Sequence, residues 1–239
     1  MMQADNSTLV STAWLSENLE NPNLHVIEVS SASDDASYRE AHVPGAHWWF
    51  WKGVLWHETD RAFAKPQALA GRLGEMGIGP DDEIVLYGEP VQFGTYAFWV
   101  LKMAGFSNLK LLDGSKKKWV ADGMPVSSEA PDAAAVSHPA PDGGEVLSVG
   151  RDDIREKLGA PGRVLLDVRS PEEYSGERVM PPPGFDHGAE RAGRIPGAAH
   201  LFFRELLNED DTYKDEGELA RILGAAGAAA DDEIELVLY

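Results

Sequence analysis

The chain has 239 residues and a mass of 26.0 kDa, enough for two small domains or one large one. Its 43% hydrophobic and 26% charged residues are ordinary for a globular protein, and 40 acidic against 21 basic residues leave a net charge of -19. That balance argues against a nucleic-acid or acidic-membrane surface, because phosphate binding needs a basic face, yet it leaves room for a small anionic substrate in a local positive pocket.

The sequence holds no cysteine, which excludes disulfides, thiolate metal sites and a cysteine nucleophile for these 239 residues. The opening MMQADNSTLVSTAWLSENL lacks a basic stretch followed by an apolar run, so it does not read as a signal peptide. No segment approaches the ~18 consecutive apolar residues of a membrane span. A soluble, cytoplasmic protein with no membrane and no nucleic-acid partner is expected.

In chain order, the apolar run Val26 to Val29 reads as a buried strand and is followed by the turn sequence HVPGAHW, His42 to Trp48. WWFW, Trp48 to Trp51, with Trp56, reads as core and interdomain packing. Pro66 to Gly77 and Phe93 to Gly105 read as helices that each close on glycine, with strands at Glu83 to Tyr87 and Leu109 to Asp113 between and after them. Trp99 and Trp119 read as helix packing residues, whereas His25, His57 and His138 show no partner pattern. Met124 to Val149, rich in Pro, Ala, Ser and Asp, has no strand or helix period and reads as an extended linker. A second strand of the first kind follows at Val164 to Val168, then the turn RIPGAAH, Arg194 to His200, and a last strand at Glu233 to Tyr239.

The second series repeats the first. Pro44 to Tyr87 and Pro196 to Tyr239 both span 43 positions. The halves differ ahead of the turn, where Tyr38 to Pro44 is 6 positions and Tyr174 to Pro196 is 22. The 16 extra residues lie within Ser175 to Glu190, and their Pro and Gly content makes them a loop. Strands alternating with helices imply parallel sheets with helices on both faces. The expected fold is therefore α/β, twice over, with one domain at 1–126, a linker at 127–148 and a second domain at 149–239. In such sheets ligands lie beyond the carboxyl ends of the strands, just after Val29, Tyr87, Val168 and Tyr239.

LLDVRSPEEY (Leu165 to Tyr174), GRIPGAAHL (Gly193 to Leu201) and DGSKKKWVADGMPV (Asp113 to Val126), with the order, duplication and spacing of the landmarks, give a chain that resembles the tandem-domain rhodanese family of thiosulfate or 3-mercaptopyruvate sulfurtransferases over nearly its whole length. The resemblance implies a catalytic second domain that moves sulfane sulfur through a cysteine persulfide. Its donor is thiosulfate or mercaptopyruvate, its acceptor is cyanide or a thiol, and no cofactor or metal takes part. By the family pattern the nucleophile stands directly after Tyr239, and by analogy with Gly88 to Val126 roughly forty further residues complete the domain. The 239-residue fragment is expected to expose strand edges and apolar faces, and so to aggregate.

Arg169 matches the family's anion-binding arginine; the plainer alternative is an ion pair with Glu172 or Glu173. Arg178 is a second possible anion contact, though a solvated loop charge accounts for it as well. Asp167, matched by Glu28 in the first half, is expected to organise the turn at its strand end. Arg194, matched by His42, is expected to hold the Pro-Gly-Ala turn. Asp186-His187 suggests a dyad only by adjacency. Ser30 stands where Arg169 does, and the loop GEPVQFGT (Gly88 to Thr95) puts glycine at the nucleophile position with no Lys or Arg after it, so the first half reads as a silent packing partner. Mercaptopyruvate-using members often carry a second arginine four residues beyond the first; Glu173 occupies that place and favours thiosulfate. The competing classes are an inactive rhodanese-like binding or regulatory module, and a phosphatase of the same fold with a longer loop.

Overall fold

The computed structural model describes residues 7–56, 62–144, 147–179, 191–229 and 234–239. The fold is α/β, and it forms two compact units, one of residues 1–148 with 210–212 and one of residues 149–209 with 213–239.

The first unit runs β1 (Leu9–Val10), α1 (Thr12–Asn18), β2 (Leu24–Ser30), α2 (Ala36–Glu40), β3 (Ala46–Phe50), α3 (Trp51–Leu55), α4 (Pro66–Glu75), β4 (Glu83–Glu89), α5 (Gln92–Met103), β5 (Leu109–Leu112) and α6 (Ser115–Ala121). Its five strands are parallel in the order β1-β5-β4-β2-β3. Such a sheet buries both faces, which is why its strands are continuous apolar runs rather than alternating ones. On one face Val26, Val85, Tyr87 and Leu112 pack against Leu15 of α1 and Trp119 of α6. The other face presents Ile27, Ile84 and Leu86, all buried, and α5 lies across β2, β4 and β5.

The aromatic run Trp48 to Trp51 contributes to the core, as expected. It forms the end of edge strand β3 and the start of α3, with Trp49 and Trp51 in the core and Trp48 and Phe50 half-buried. The segment after α6 has no helix of its own but is held along the first unit. Ser127 exchanges backbone bonds with His42 at 2.9 Å in both directions, and the Val136 amide donates to the Gly74 carbonyl at 2.9 Å. His138, for which the sequence offered no partner, meets the Ile78 carbonyl at 2.9 Å, and the Trp99 indole donates to the Leu147 carbonyl at 3.0 Å. His25 pairs with Asp82 at 3.1 Å.

The second unit runs α7 (Arg151–Glu156), β6 (Arg163–Asp167), α8 (Pro171–Ser175), β7 (Ala199–His200), a 3-10 turn (Phe203–Leu206), α9 (Glu216–Ala225) and β8 (Glu235–Leu238). Its parallel sheet has the order β7-β6-β8, the same arrangement as β3-β2-β4. The register repeats as well. Ile27 opposes His47 and Leu86 in the first sheet, and Leu166 opposes Ala199 and Leu238 in the second. One face of the second sheet packs Leu165 and Val237 with Ile154 of α7; the other packs Leu166 with Ile222 and Leu223 of α9. Leu238 is 57% exposed, whereas Leu86 at the equivalent register is fully buried.

Leu86→Ala should lower the unfolding free energy of the first unit by about 2–5 kcal/mol, the usual cost of emptying a buried leucine site. Val120→Ala, on the solvent side of α6, should stay within about 0.5 kcal/mol. Urea unfolding followed by tryptophan fluorescence separates the two.

Candidate functional site

The strand ends of the second unit gather the residues that the sequence points to. Asp167 ends β6 with no solvent exposure, so its carboxylate needs partners. It finds them two residues on: Arg169 donates from Nε to Oδ1 at 3.0 Å and from Nη2 to Oδ2 at 2.6 Å, and its backbone amide donates to Oδ1 at 3.0 Å. The bidentate pair and the amide bond together close the turn that leaves the strand. Nη2 also reaches the Gly193 carbonyl at 2.8 Å, and the guanidinium carbon lies 5.6 Å from the Tyr239 ring centre. Asp167 raises the pKa of Arg169 further above its already high value, chiefly through the side-chain hydrogen bond. The ion pair of Arg169 is thus with Asp167, not with Glu172 or Glu173. Nη1 carries no hydrogen bond to the described residues and is the donor pair left for a ligand.

Glu173 has another task. Ser170 and Glu173 form a capping box at the start of α8: the Ser170 hydroxyl donates to Glu173 Oε2 at 2.7 Å, and each residue's amide is bonded by the other's side chain. Pro171 occupies the first turn, where its missing N–H costs nothing. Arg178 folds back onto this box, donating from Nη2 to the Ser170 hydroxyl at 2.9 Å and pairing with Glu172 at 3.3 Å; its buried Nε has no partner. Arg169 and Arg178 are therefore both tied to the two ends of one short segment, and each is matched by a carboxylate. An oxyanion here would be held by aimed N–H groups rather than by excess positive charge.

Arg194 sits at the Pro-Gly-Ala turn, exposed, with its guanidinium 4.4 Å from the Tyr174 ring centre and Nη1 3.3 Å from the Tyr174 carbonyl. His42 does the same in the first unit, stacked on Tyr38 at 3.8 Å and bonded to its carbonyl at 2.6 Å. Both tyrosine hydroxyls donate into the turn, Tyr38 to the Ala46 carbonyl at 2.6 Å and Tyr174 to that of Ala198 at 3.0 Å. The glycines of the two turns, Gly45 and Gly197, both take the left-handed conformation that L side chains avoid. Each turn is also tied to the far strand: the Val43 amide donates to the Tyr87 hydroxyl at 3.2 Å, and the Ile195 amide to that of Tyr239 at 2.9 Å. Burial pushes the Tyr239 hydroxyl above its ordinary pKa.

His200 was not singled out by sequence. It stacks on Tyr174 opposite Arg194's turn, at 4.3 Å, and donates from Nε2 to the Arg169 carbonyl at 2.8 Å, fixing the backbone beside the arginine. A strand-end histidine after Pro-Gly-Ala-Ala was the available signal. Asp186 and His187 lie outside the described residues, as does His57. Among the described residues no cluster of His, Asp and Glu is arranged to hold a metal ion, and no helix is long and apolar enough to cross a membrane.

The corresponding place in the first unit is closed. A Cβ on Gly88 would lie 2.4 Å from the Gly94 nitrogen and 2.5 Å from the Pro90 carbonyl oxygen, both backbone atoms. The loop has wrapped around the position, and the Gly88 amide and carbonyl are both bonded to the Ser115 hydroxyl, at 2.7 and 2.8 Å. The loop itself carries no Lys or Arg, but a positive charge reaches the place from elsewhere in the fold. Lys116 arrives not from the loop after β4 but from α6, and meets Glu89 at 2.7 Å and Glu28 at 3.6 Å. Its three protons go to Glu89 and Ser37, so its charge is committed within the unit.

The sequence profile of the rhodanese-like domain matches residues 11–122 and 151–239. The chain belongs to the rhodanese-like domain family. Among curated relatives, a protein of Saccharopolyspora erythraea named "Putative thiosulfate sulfurtransferase" is 36% identical over 94% of this chain and 79% of its own length. "Sulfur carrier protein TtuD" of Thermus thermophilus is 35% identical over 98% of this chain and 83% of its own. Among solved structures, the anaerobic ergothioneine biosynthesis enzyme of Chlorobium limicola superposes with a TM-score of 0.79 at 23% identity, covering 97% of this chain. This rhodanese-like chain spans 60% of that enzyme, and the likeness speaks for the fold.

Replacing Asp167 with alanine should cost about 3 kcal/mol, the low end for breaking a buried pair, because the Arg169 side chain is 22% exposed. Arg178→Ala should cost under about 1 kcal/mol. Chemical denaturation of the two variants against the parent tests the ranking.

Proposed function

We propose that this chain is a sulfurtransferase part, its second unit being the catalytic one and its first a packing partner. The sulfur donor is a small oxyanion, thiosulfate in the first instance, and the acceptor is cyanide or a thiol. The observation that carries the reading is Arg169. It is paired with Asp167 beside Tyr239, with Nη1 carrying no hydrogen bond to the described residues, at the strand ends where parallel sheets take their ligands. The relatives named for thiosulfate sulfur transfer and sulfur carriage favour the same chemistry.

The nucleophile in this reading is a cysteine directly after Tyr239. The repeated register supports the position, since β8 lies on β6 as β4 lies on β2: Leu238 opposes Leu166 as Leu86 opposes Ile27, so Tyr239 stands at the place of Tyr87 and the next residue at that of Gly88. The thiolate attacks the outer sulfur of thiosulfate; the S–S bond breaks, sulfite leaves with the bonding pair, and the cysteine carries the persulfide. Attack by cyanide on the outer sulfur then forms thiocyanate and returns the thiolate. A loop of successive amides entering a helix would lower the thiol pKa and stabilise the persulfide. Arg169 orients the sulfonate oxygens of the donor, with Arg178 as a second contact.

The 239-residue chain should form no thiocyanate from thiosulfate and cyanide, for lack of a thiol. The protein from its native source should have a mass above 26.0 kDa and a cysteine next after Tyr239. In that protein Arg169→Ala should raise KM for thiosulfate about tenfold, the worth of one charge-assisted contact, with cyanide kinetics unchanged. Another residue in place of the cysteine would instead make the protein a rhodanese-like binding module.

A further inference from the structure

The second unit neutralises its strand-end acid with Arg169, but the first has Ser30 at that place and leaves Glu28 without a guanidinium. Glu28 has no solvent exposure. Its Oε2 accepts the Tyr87 hydroxyl at 2.6 Å, and its buried Oε1 has no partner. The nearest cation, Lys116, is 3.6 Å from Oε2 and gives its three protons elsewhere: to Glu89 Oε2 at 2.7 Å, the Ser37 hydroxyl at 3.1 Å and the Ser37 carbonyl at 3.2 Å. Ser37, in α2, in turn donates its hydroxyl proton to the Glu89 carboxylate at 2.9 Å. One ammonium therefore joins α6, α2 and the end of β4 while a second carboxylate waits beside it.

We propose that Glu28, Glu89 and Lys116 form a proton-operated latch that fastens α2 to the carboxyl end of the first sheet and loosens when Glu28 gives its proton to solvent. With Glu28 neutral, Lys116 is committed to Glu89 and Ser37. With Glu28 ionised, two carboxylates compete for one ammonium whose protons are already used. Each bond Lys116 turns toward Glu28 is taken from Glu89 or Ser37. Around Glu28, the groups that titrate or carry charge are Tyr87 and Glu89 from β4, Lys116 from α6 and Tyr38 from α2. Both tyrosines stay protonated: burial and Glu28 together push Tyr38 to about 12 and Tyr87 well above its ordinary value. Asp35 and Arg39 pair with each other on the solvent side of α2.

Burial, with Glu89 adding to it against the opposing pull of Tyr87 and Lys116, pushes the Glu28 carboxyl up to about 7. The sign follows from linkage. A carboxyl whose folded pKa lies above its ordinary 4.5 favours the folded state fully below 4.5, and that contribution is lost as pH rises to about 7. The latch is thus closed in mild acid and loosened above neutrality. The device does not depend on the sulfur chemistry of the other unit.

The test is a carboxyl-¹³C NMR titration of the chain, with hydrogen exchange of the Arg39 and Ala41 amides, which α2 bonds to Asp35 and Ser37, at pH 6 and pH 8. Glu28 should titrate near neutrality, and protection of these amides, corrected for intrinsic exchange, should fall about tenfold between the two pH values. Glu28→Gln should keep α2 protected at both pH values, and Lys116→Met should leave it unprotected at both. A Glu28 midpoint below 5, or α2 protection equal at pH 6 and pH 8, would overturn the latch, and the parent chain alone suffices for either result.

Discussion

A carboxyl group at the end of the central strand, sealed from water on every side, is the constraint around which both units are arranged. A buried acid must be paired, hydrogen-bonded or kept neutral. The second unit pairs Asp167 with the arginine two residues on, and the ring of Tyr239 and the carbonyl of Gly193 complete the arginine's surroundings. The first unit has no arginine and settles Glu28 with a tyrosine hydroxyl and a lysine that serves two other groups. One position in one fold is thus an acid paired with a guanidinium in one copy and an acid bonded by a tyrosine hydroxyl in the other.

The setting of Arg169 has a traceable origin. The Ser170-Glu173 capping box fixes the first turn after the arginine, His200 holds the arginine's own carbonyl, and Tyr174 is stacked between Arg194 and His200 while bonding the turn below. None of these contacts is strong singly, since stacking and cation–π pairs are worth about 1 kcal/mol each. Together they surround the segment that carries Arg169.

The α/β class and the duplicated strand order were legible in the sequence because parallel strands buried on both faces are unbroken apolar runs, and because the spacing from Pro44 to Tyr87 recurs from Pro196 to Tyr239. Arg169 and Asp167 could be picked out as strand-end residues, but their mutual pairing could not, as nothing local distinguishes Asp167 from Glu172 or Glu173 as the partner. The Ser-Pro-Glu-Glu run did carry a readable capping signature. Lys116 was illegible: it comes to the strand end from α6, 27 positions after Glu89, and only the folded sheet brings the two together. Trp48 to Trp51 were read as packing residues, and Trp49 and Trp51 are in the core; that the run also forms edge strand β3 was not read, since aromatic residues suit either.

The closure of the backbone around Gly88 limits what the first unit can carry there. An open loop would accept a side chain at such a position by one codon change. Here any side chain meets main-chain atoms of Pro90, Val91 and Gly94, so a substitution must first displace the whole turn. The first unit is thus held to glycine at this place by the path of its own backbone.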